Sequence, residues 1–230
     1  MLNPQTPVRG HKKKESTLLI LIIIVVLAIA GPVITREDFR VDRGILDQAE
    51  RKYGKGARTV LIAWEDLIRQ DKSSSDRQKL EKVNQFFNRM QFVDDFRHWG
   101  QKDYWATPIE FLASGGGDCE DFSIAKYFTL KAMGVHEEKL NLSYVKALQY
   151  NMHHMVLTYY SEPGAIPLVL DNLIDSIKSA SERTDLMPIF SFNGTGLWLA
   201  KQRGRGKLAG SSSRVKLWRD LLQKMSQNKL

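Results

Sequence analysis

The stretch Gly115-Gly116-Gly117-Asp118-Cys119-Glu120-Asp121 decides how the chain reads. Its glycines predict a turn from Ser114, and Asp118 then opens a helix through Phe122, Ala125 and Phe128 that ends near Gly134. Cys119, the only cysteine among 230 residues, therefore sits in the first turn of a helix. Backbone N–H groups there have no intrahelical partner, and the helix dipole favours a thiolate. The glycines would let a substrate backbone approach closely. A nucleophilic cysteine also needs a base, and the base needs an orienting acceptor.

Downstream, the pattern changes to period two and β-rich composition: Leu142-Ser143-Tyr144-Val145, Met155 to Tyr160, and Pro167-Leu168-Val169-Leu170. Ser161-Glu162-Pro163-Gly164 reads as the turn between two of these strands. His153 and His154 open the second strand, and Asp171 closes the third. If those strands form a hairpin, a histidine and an aspartate meet beside the helix terminus, the Cys–His–Asp order of papain-type hydrolases. Taken singly, each residue has a blander reading: an inert core thiol, a structural histidine, an aspartate in a turn.

Upstream, residues 36–71 predict two helices, and Lys72 to Asp76 reads as a polar loop ending in helix-cap chemistry. Leu80, Val83, Phe86, Phe87 and Met90 follow the spacing of an amphipathic helix. Phe92 to Trp105 reads as irregular, and Thr107-Pro108-Ile109-Glu110 as a fresh helix start. Helices first and antiparallel strands second predict an α+β fold.

With 43% hydrophobic and 10% aromatic residues, the chain has enough apolar side chain to fold, which excludes a disordered or collagen-like protein. A single cysteine excludes a disulfide framework and any zinc site built on paired cysteines. The formal net charge is +8, but residues 1–15 carry +3 and 201–230 carry +8, which leaves −3 on residues 16–200. A mildly acidic body with basic ends argues against nucleic acid as a partner.

Lys12-Lys13-Lys14 precedes an unbroken apolar run from Leu18 to Ala30, and Ala28-Ile29-Ala30 resembles a small-residue cleavage site. Residues 1–34 are expected to be a signal peptide or an N-terminal membrane anchor. Gly31-Pro32 favours cleavage, whereas counting on to Ile34 gives 17 residues, the lower limit for spanning. Export would place the chain in the periplasm, released or held at the inner membrane. At the other end, residues 201–230 form a basic tail containing Arg203-Gly204-Arg205-Gly206-Lys207. Its terminal segment, with Val215, Trp218, Leu222 and Met225 on one face, is expected to dock on the body as an amphipathic helix. RNA or a membrane surface is the rival reading of that tail.

The linked motifs Gly117-Asp118-Cys119-Glu120-Asp121-Phe122-Ser123-Ile124-Ala125-Lys126-Tyr127, His154-Met155-Val156-Leu157 and Val169-Leu170-Asp171-Asn172 resemble the bacterial transglutaminase-like cysteine proteinases. Val83 to Asn88 and Tyr104 to Glu110 share the likeness, which spans most of residues 80–200. The resemblance implies a papain/transglutaminase-like protease domain over residues 35–200, with the nucleophile at a helix N-terminus packed on an antiparallel sheet. It implies Cys119 as nucleophile, His154 as base and later acid, and Asp171 as orienter. Asp118, Glu120 and Asp121 match the family's calcium positions. His154 is preferred to His153 because it directly precedes Met-Val-Leu; His153 is expected on the other sheet face, at the surface. The resemblance further implies a calcium-dependent endopeptidase that cuts the N-terminal region of a large surface adhesin after paired alanines and so disperses biofilm; the chain itself is expected to be a monomer. An inner-membrane cyclic-di-GMP receptor of the LapD type would sequester it.

Calcium also has a physical argument. Three carboxylates around a cysteine raise its pKa, and a bound Ca²⁺ would offset that field and pin the loop. The competing reading makes Asp118 an N-cap and leaves Glu120 and Asp121 to complement the dipole. Small residues beside the cut would suit a shallow cleft lined by the backbone of residues 115–117. Two other functions remain open from sequence: acyl transfer by the same triad, as in a transglutaminase or amidase, and a non-catalytic envelope binding module.

Overall fold

The computed structural model describes residues 39–71, 73–199 and 206–227, besides Met1. The apolar run at 18–34 and the basic residues 201–205 lie outside the described residues. Among the described residues no helix is long and apolar enough to cross a membrane.

Helix α1 (Arg43–Tyr53) starts at Asp42, whose carboxylate accepts from the N–H groups of Gly44 and Ile45. Helix α2 (Lys55–Gln70) buries Ala57, Leu61, Trp64 and Ile68, a stripe at helical spacing. Ser75 and Gln78 form a capping box for α3 (Asp76–Phe87), which buries Leu80, Val83 and Phe87 together with Asn84. Thr107 and Glu110 do the same for α5 (Pro108–Ser114), with proline in its first turn. The central helix α6 (Cys119–Ala132) is buried over most of its length.

Residues 92–105 are more ordered than their composition predicts. Gln91 and Phe92 form a short strand, β1, and α4 (Asp95–Trp99) follows, capped by Asp94. The glycine run is likewise more than a turn. Gly115 adopts the left-handed conformation (φ +90°) that ends α5, but Gly116 and Gly117 form a second short strand, β2, parallel to β1.

Seven antiparallel strands make the main sheet: β3 (Leu140–Ala147), β4 (Met152–Tyr159), β5 (Leu168–Leu170), β6 (Lys178–Ser179), β7 (Leu186–Phe192), β8 (Leu197–Leu199) and β9 (Leu208–Gly210). Their order is β6-β5-β4-β3-β7-β8-β9. Helix α6 packs on β4 and β3, where Leu142, Met155 and Leu157 join the main core together with Leu170 of β5. Val145, Val156 and Val169 form a smaller cluster of their own. The result is the α+β, transglutaminase-like arrangement read from the sequence.

Helix α7 (Lys216–Ser226) packs on the body through Trp218, which stacks on Phe128 at 5.6 Å and meets Tyr127 and Phe192 edge-on. The expected stripe needs one correction. Leu221, not Leu222, is buried beside Trp218; Leu222 is exposed, because residues three apart share the docked face here.

Candidate active site

Three contacts place Cys119, one local to the helix start and two to residues distant in sequence. Asp118 caps α6 by accepting from the N–H of Glu120 at 3.2 Å, and Asp121 reaches back to the N–H of Asp118. Asp121 Oδ1 accepts from the N–H of Ala106 at 2.7 Å, which ties the helix start to the segment entering α5. Ser123 Oγ donates to the carbonyl of Met155 at 3.0 Å and seats the first turn of α6 on β4.

The thiol donates to Glu120 Oε2 at 2.7 Å, and the Met155 N–H also points to it. Burial pushes the thiol pKa well up, Glu120 and Asp118 push it further, and the Met155 N–H opposes them. The thiol is therefore protonated at neutral pH in this arrangement, opposite to what the helix dipole alone predicts.

His154 and Asp171 meet directly. His154 Nε2 lies 2.7 Å from Asp171 Oδ1, with both side chains buried. An ionised carboxylate only accepts, so Nε2 is the donor of this bond. Asp171 Oδ1 also accepts from the N–H of Leu173, and Oδ2 accepts from Arg183 Nη2 at 2.7 Å. Burial alone would raise the Asp171 pKa; His154, the Leu173 N–H and Arg183 outweigh it and hold the carboxyl at about 2. Among the described residues no hydrogen bond joins Cys119 to His154. The thiol instead reaches the neighbouring residue on β4, Met155.

His153 is exposed, as expected, but it is not remote from the thiol. It stacks at 5.3 Å on Tyr144, whose phenol pKa is raised by burial and then by Glu120 and Cys119.

Asp118 belongs to two clusters whose ligand atoms lie within 4.8 Å of one another: one with Cys119 and Glu120, the other with Asp95 and Asp121. The sequence pointed to Asp118, Glu120 and Asp121; it did not point to Asp95, which lies 23 positions before Asp118. Burial followed by Glu120, Asp121 and Asp95 raises the Asp118 pKa to about 10. Burial also raises Asp95 to about 6, against the Tyr104 N–H, and pushes Asp121 up. Asp95 Oδ1 is buried without a partner among the described residues, while its Oδ2 accepts from the N–H of Tyr104 at 2.6 Å. Buried, mutually repelling carboxylate oxygens with one orphan atom fit a hard divalent cation such as Ca²⁺.

The glycines serve this cluster rather than an open cleft. A Cβ on Gly117 would lie 2.2 Å from Asp121 Oδ2, and one on Gly116 would lie 2.1 Å from the Gln91 carbonyl oxygen. Both residues are buried, so the shallow substrate cleft expected along residues 115–117 is not formed by them.

The family model of the bacterial transglutaminase-like cysteine proteinases matches residues 64–191, more than half of the chain. Among solved structures, EGTA-treated LapG of Legionella pneumophila is 43% identical, with a TM-score of 0.70, over 79% of this chain and 96% of that one. Calcium-bound LapG from the same organism is 40% identical, with a TM-score of 0.69, over 80% and 99%. The search of curated proteins gave no match.

Proposed function

Because the chain belongs to the bacterial transglutaminase-like cysteine proteinases and is a cysteine protease, we propose that Cys119, His154 and Asp171 are its nucleophile, general base and orienter, and that its activity depends on calcium. The observation that carries this reading is the buried pairing of Asp171 with His154, on β4, the strand whose next residue, Met155, offers its N–H to the Cys119 thiol.

In the proposed reaction, His154 Nδ1 takes the thiol proton and sulfur attacks the scissile carbonyl carbon. The Cys119 N–H, in the first turn of α6, supplies one donor to the resulting oxyanion. The imidazolium, held by Asp171, returns its proton to the leaving amine as the C–N bond breaks. Water then resolves the thioester, with His154 accepting its proton. Asp95, Asp118 and Asp121 would hold the cation, and Glu120, which shares a second cluster with Asp118, is a further candidate ligand. The chemistry it would supply there is electrostatic: positive charge among these carboxylates would offset their field at Cys119 and so favour the thiolate. A calcium-bound LapG structure among the matches supports calcium as the cation.

The family resemblance supports a periplasmic endopeptidase, and the chain is proposed to act as a monomer. It cuts the N-terminal region of a large surface adhesin after paired alanines, releases it and so promotes biofilm dispersal. A LapD-type cyclic-di-GMP receptor in the inner membrane is the proposed inhibitory partner. The lysines and apolar run before Ile34 support export, with release or membrane association both compatible.

Incubating the purified chain with its own cell's surface adhesin, with Ca²⁺ and with a chelator, tests the reading. Two fragments are expected with Ca²⁺ and none with chelator or with Cys119→Ala. Cross-linked product would indicate acyl transfer to amines, and processing by Cys119→Ala would remove the nucleophile assignment.

A further inference from the structure

Lys126 lies on α6, seven residues and about two helical turns beyond Cys119, and is only 1% exposed. Its Nζ donates to Asn84 Oδ1 at 2.8 Å, Asn88 Oδ1 at 2.7 Å and the backbone carbonyl of Asp171 at 3.1 Å. Asn88 Nδ2 donates to the same carbonyl at 2.9 Å and to Asp175 Oδ1 at 3.0 Å. Asn84 Nδ2 donates to the Asp175 carbonyl at 2.8 Å. The Lys126 ammonium and two amides, Asn84 on α3 and Asn88 just past its end, thus grip both ends of the 171–175 segment.

Burying an ammonium against amide and carbonyl oxygens, without a direct carboxylate contact, costs stability that an apolar side chain of similar length would not. Three acceptors require three N–H donors, so the grip is complete only in the charged form. The same helix carries the thiol at its start, which makes the clamp a mechanical link between nucleophile and orienter.

We propose that Lys126 is a positioning residue of the proteolytic site: with Asn84 and Asn88 it fixes the main chain of Asp171 relative to the helix that carries Cys119. The inference rests on the triad reading above. Burial lowers the Lys126 pKa to about 7, with Asp171 and Asp175 opposing it, so the clamp loosens as pH rises past neutrality. The charged groups facing it are Asp171 and Asp175. Helix α3 and its C-cap face it with the amides of Asn84 and Asn88, α6 with the Phe122 ring at 5.9 Å, and β4 reaches it through His154 on Asp171.

The test is the rate at which iodoacetamide alkylates Cys119 in the calcium-loaded full chain, followed across pH. Lys126→Met is expected to slow alkylation at neutral pH by about 10–100-fold, with calcium affinity retained. Asn88→Asp keeps the ammonium paired but removes the amide donor to Asp171. It is expected to slow alkylation too, and to move the alkaline inflection upward by about one pH unit or more, because a new carboxylate stabilises the charged lysine. If Lys126→Met does not fold, Asn88→Asp decides the matter. Profiles superimposable on the wild type for the folded variants would overturn the inference. A wild-type thiol no more reactive than free cysteine, in a chain that cuts no adhesin, would instead overturn the proteolytic reading beneath it.

Discussion

Arg183 Nη2 donates to Asp171 Oδ2 at 2.7 Å, with the two side chains only 2% and 0% exposed. A buried carboxylate that also serves an imidazole needs a permanent counter-charge, and guanidinium supplies one at every relevant pH. Asp185 completes the arrangement by accepting from Arg183 Nε at 2.9 Å and Nη2 at 2.8 Å.

Removing the cation strands a buried anion. Arg183→Met is expected to destabilise the chain by about 3–5 kcal/mol, read from urea unfolding. Combining it with Asp171→Asn should recover part of that loss, since the fully buried anion is then gone and only Asp185, which is partly exposed, has lost its partner. An additive double-mutant cycle would show that the two side chains do not interact.

Acid should expose the same pair. Asp171 is held at about 2 in the fold, against an ordinary value of 3.8. A depressed carboxyl contributes stability fully above the unfolded value and loses it as pH falls through the folded one. The contribution is therefore intact above about pH 4 and drains away toward pH 2. Unfolding free energies measured across that range should fall more steeply for the wild type than for Asp171→Asn.

Asp95 is expected to be a cation ligand although its position is distant in the chain. Calcium should raise the melting temperature of the wild type relative to chelator. Asp95→Asn should weaken calcium binding by about 10–100-fold, measured by calorimetry, because it removes one anionic ligand from the cluster. Equal affinity in the variant would place the ion elsewhere.

Gly117→Ala tests how closely the loop and the carboxylates are packed. Its new Cβ would meet Asp121 Oδ2 at 2.2 Å, so either the strand or the carboxylate must move. A loss of about 1–3 kcal/mol in stability is expected, together with weaker calcium binding. Gly115→Ala, where φ is +90° and the space is open, should cost stability without changing calcium affinity.

The helix starts were legible because their causes are local. Ser75 with Gln78, Thr107 with Glu110, and Asp118 ahead of Cys119 each satisfy N–H groups within a few residues of themselves. The two central strand pairs were legible through alternation and the turn at Ser161 to Gly164. Strands β6 to β9 were not, since β6, β8 and β9 are two or three residues long and gain their order from neighbours. The pairing of β1 with β2 was hidden for the same reason: two glycines carry no strand signal until Gln91 and Phe92 lie beside them.

From sequence alone came a thiol at a helix start, followed in order by histidine and aspartate on successive strands, and the family to which that order belongs. The order of the three residues follows from capping, periodicity and spacing, which act over short stretches of chain; the family came from the resemblance of the linked motifs. Only the tertiary structure brought Asp95 to Asp118 and Asp121, Arg183 to Asp171, and Lys126 to the carbonyl behind it. It also turned the thiol toward Glu120. Each of those outcomes depends on burial, which strips water from a charge and makes its partner, however far off in sequence, decide its state.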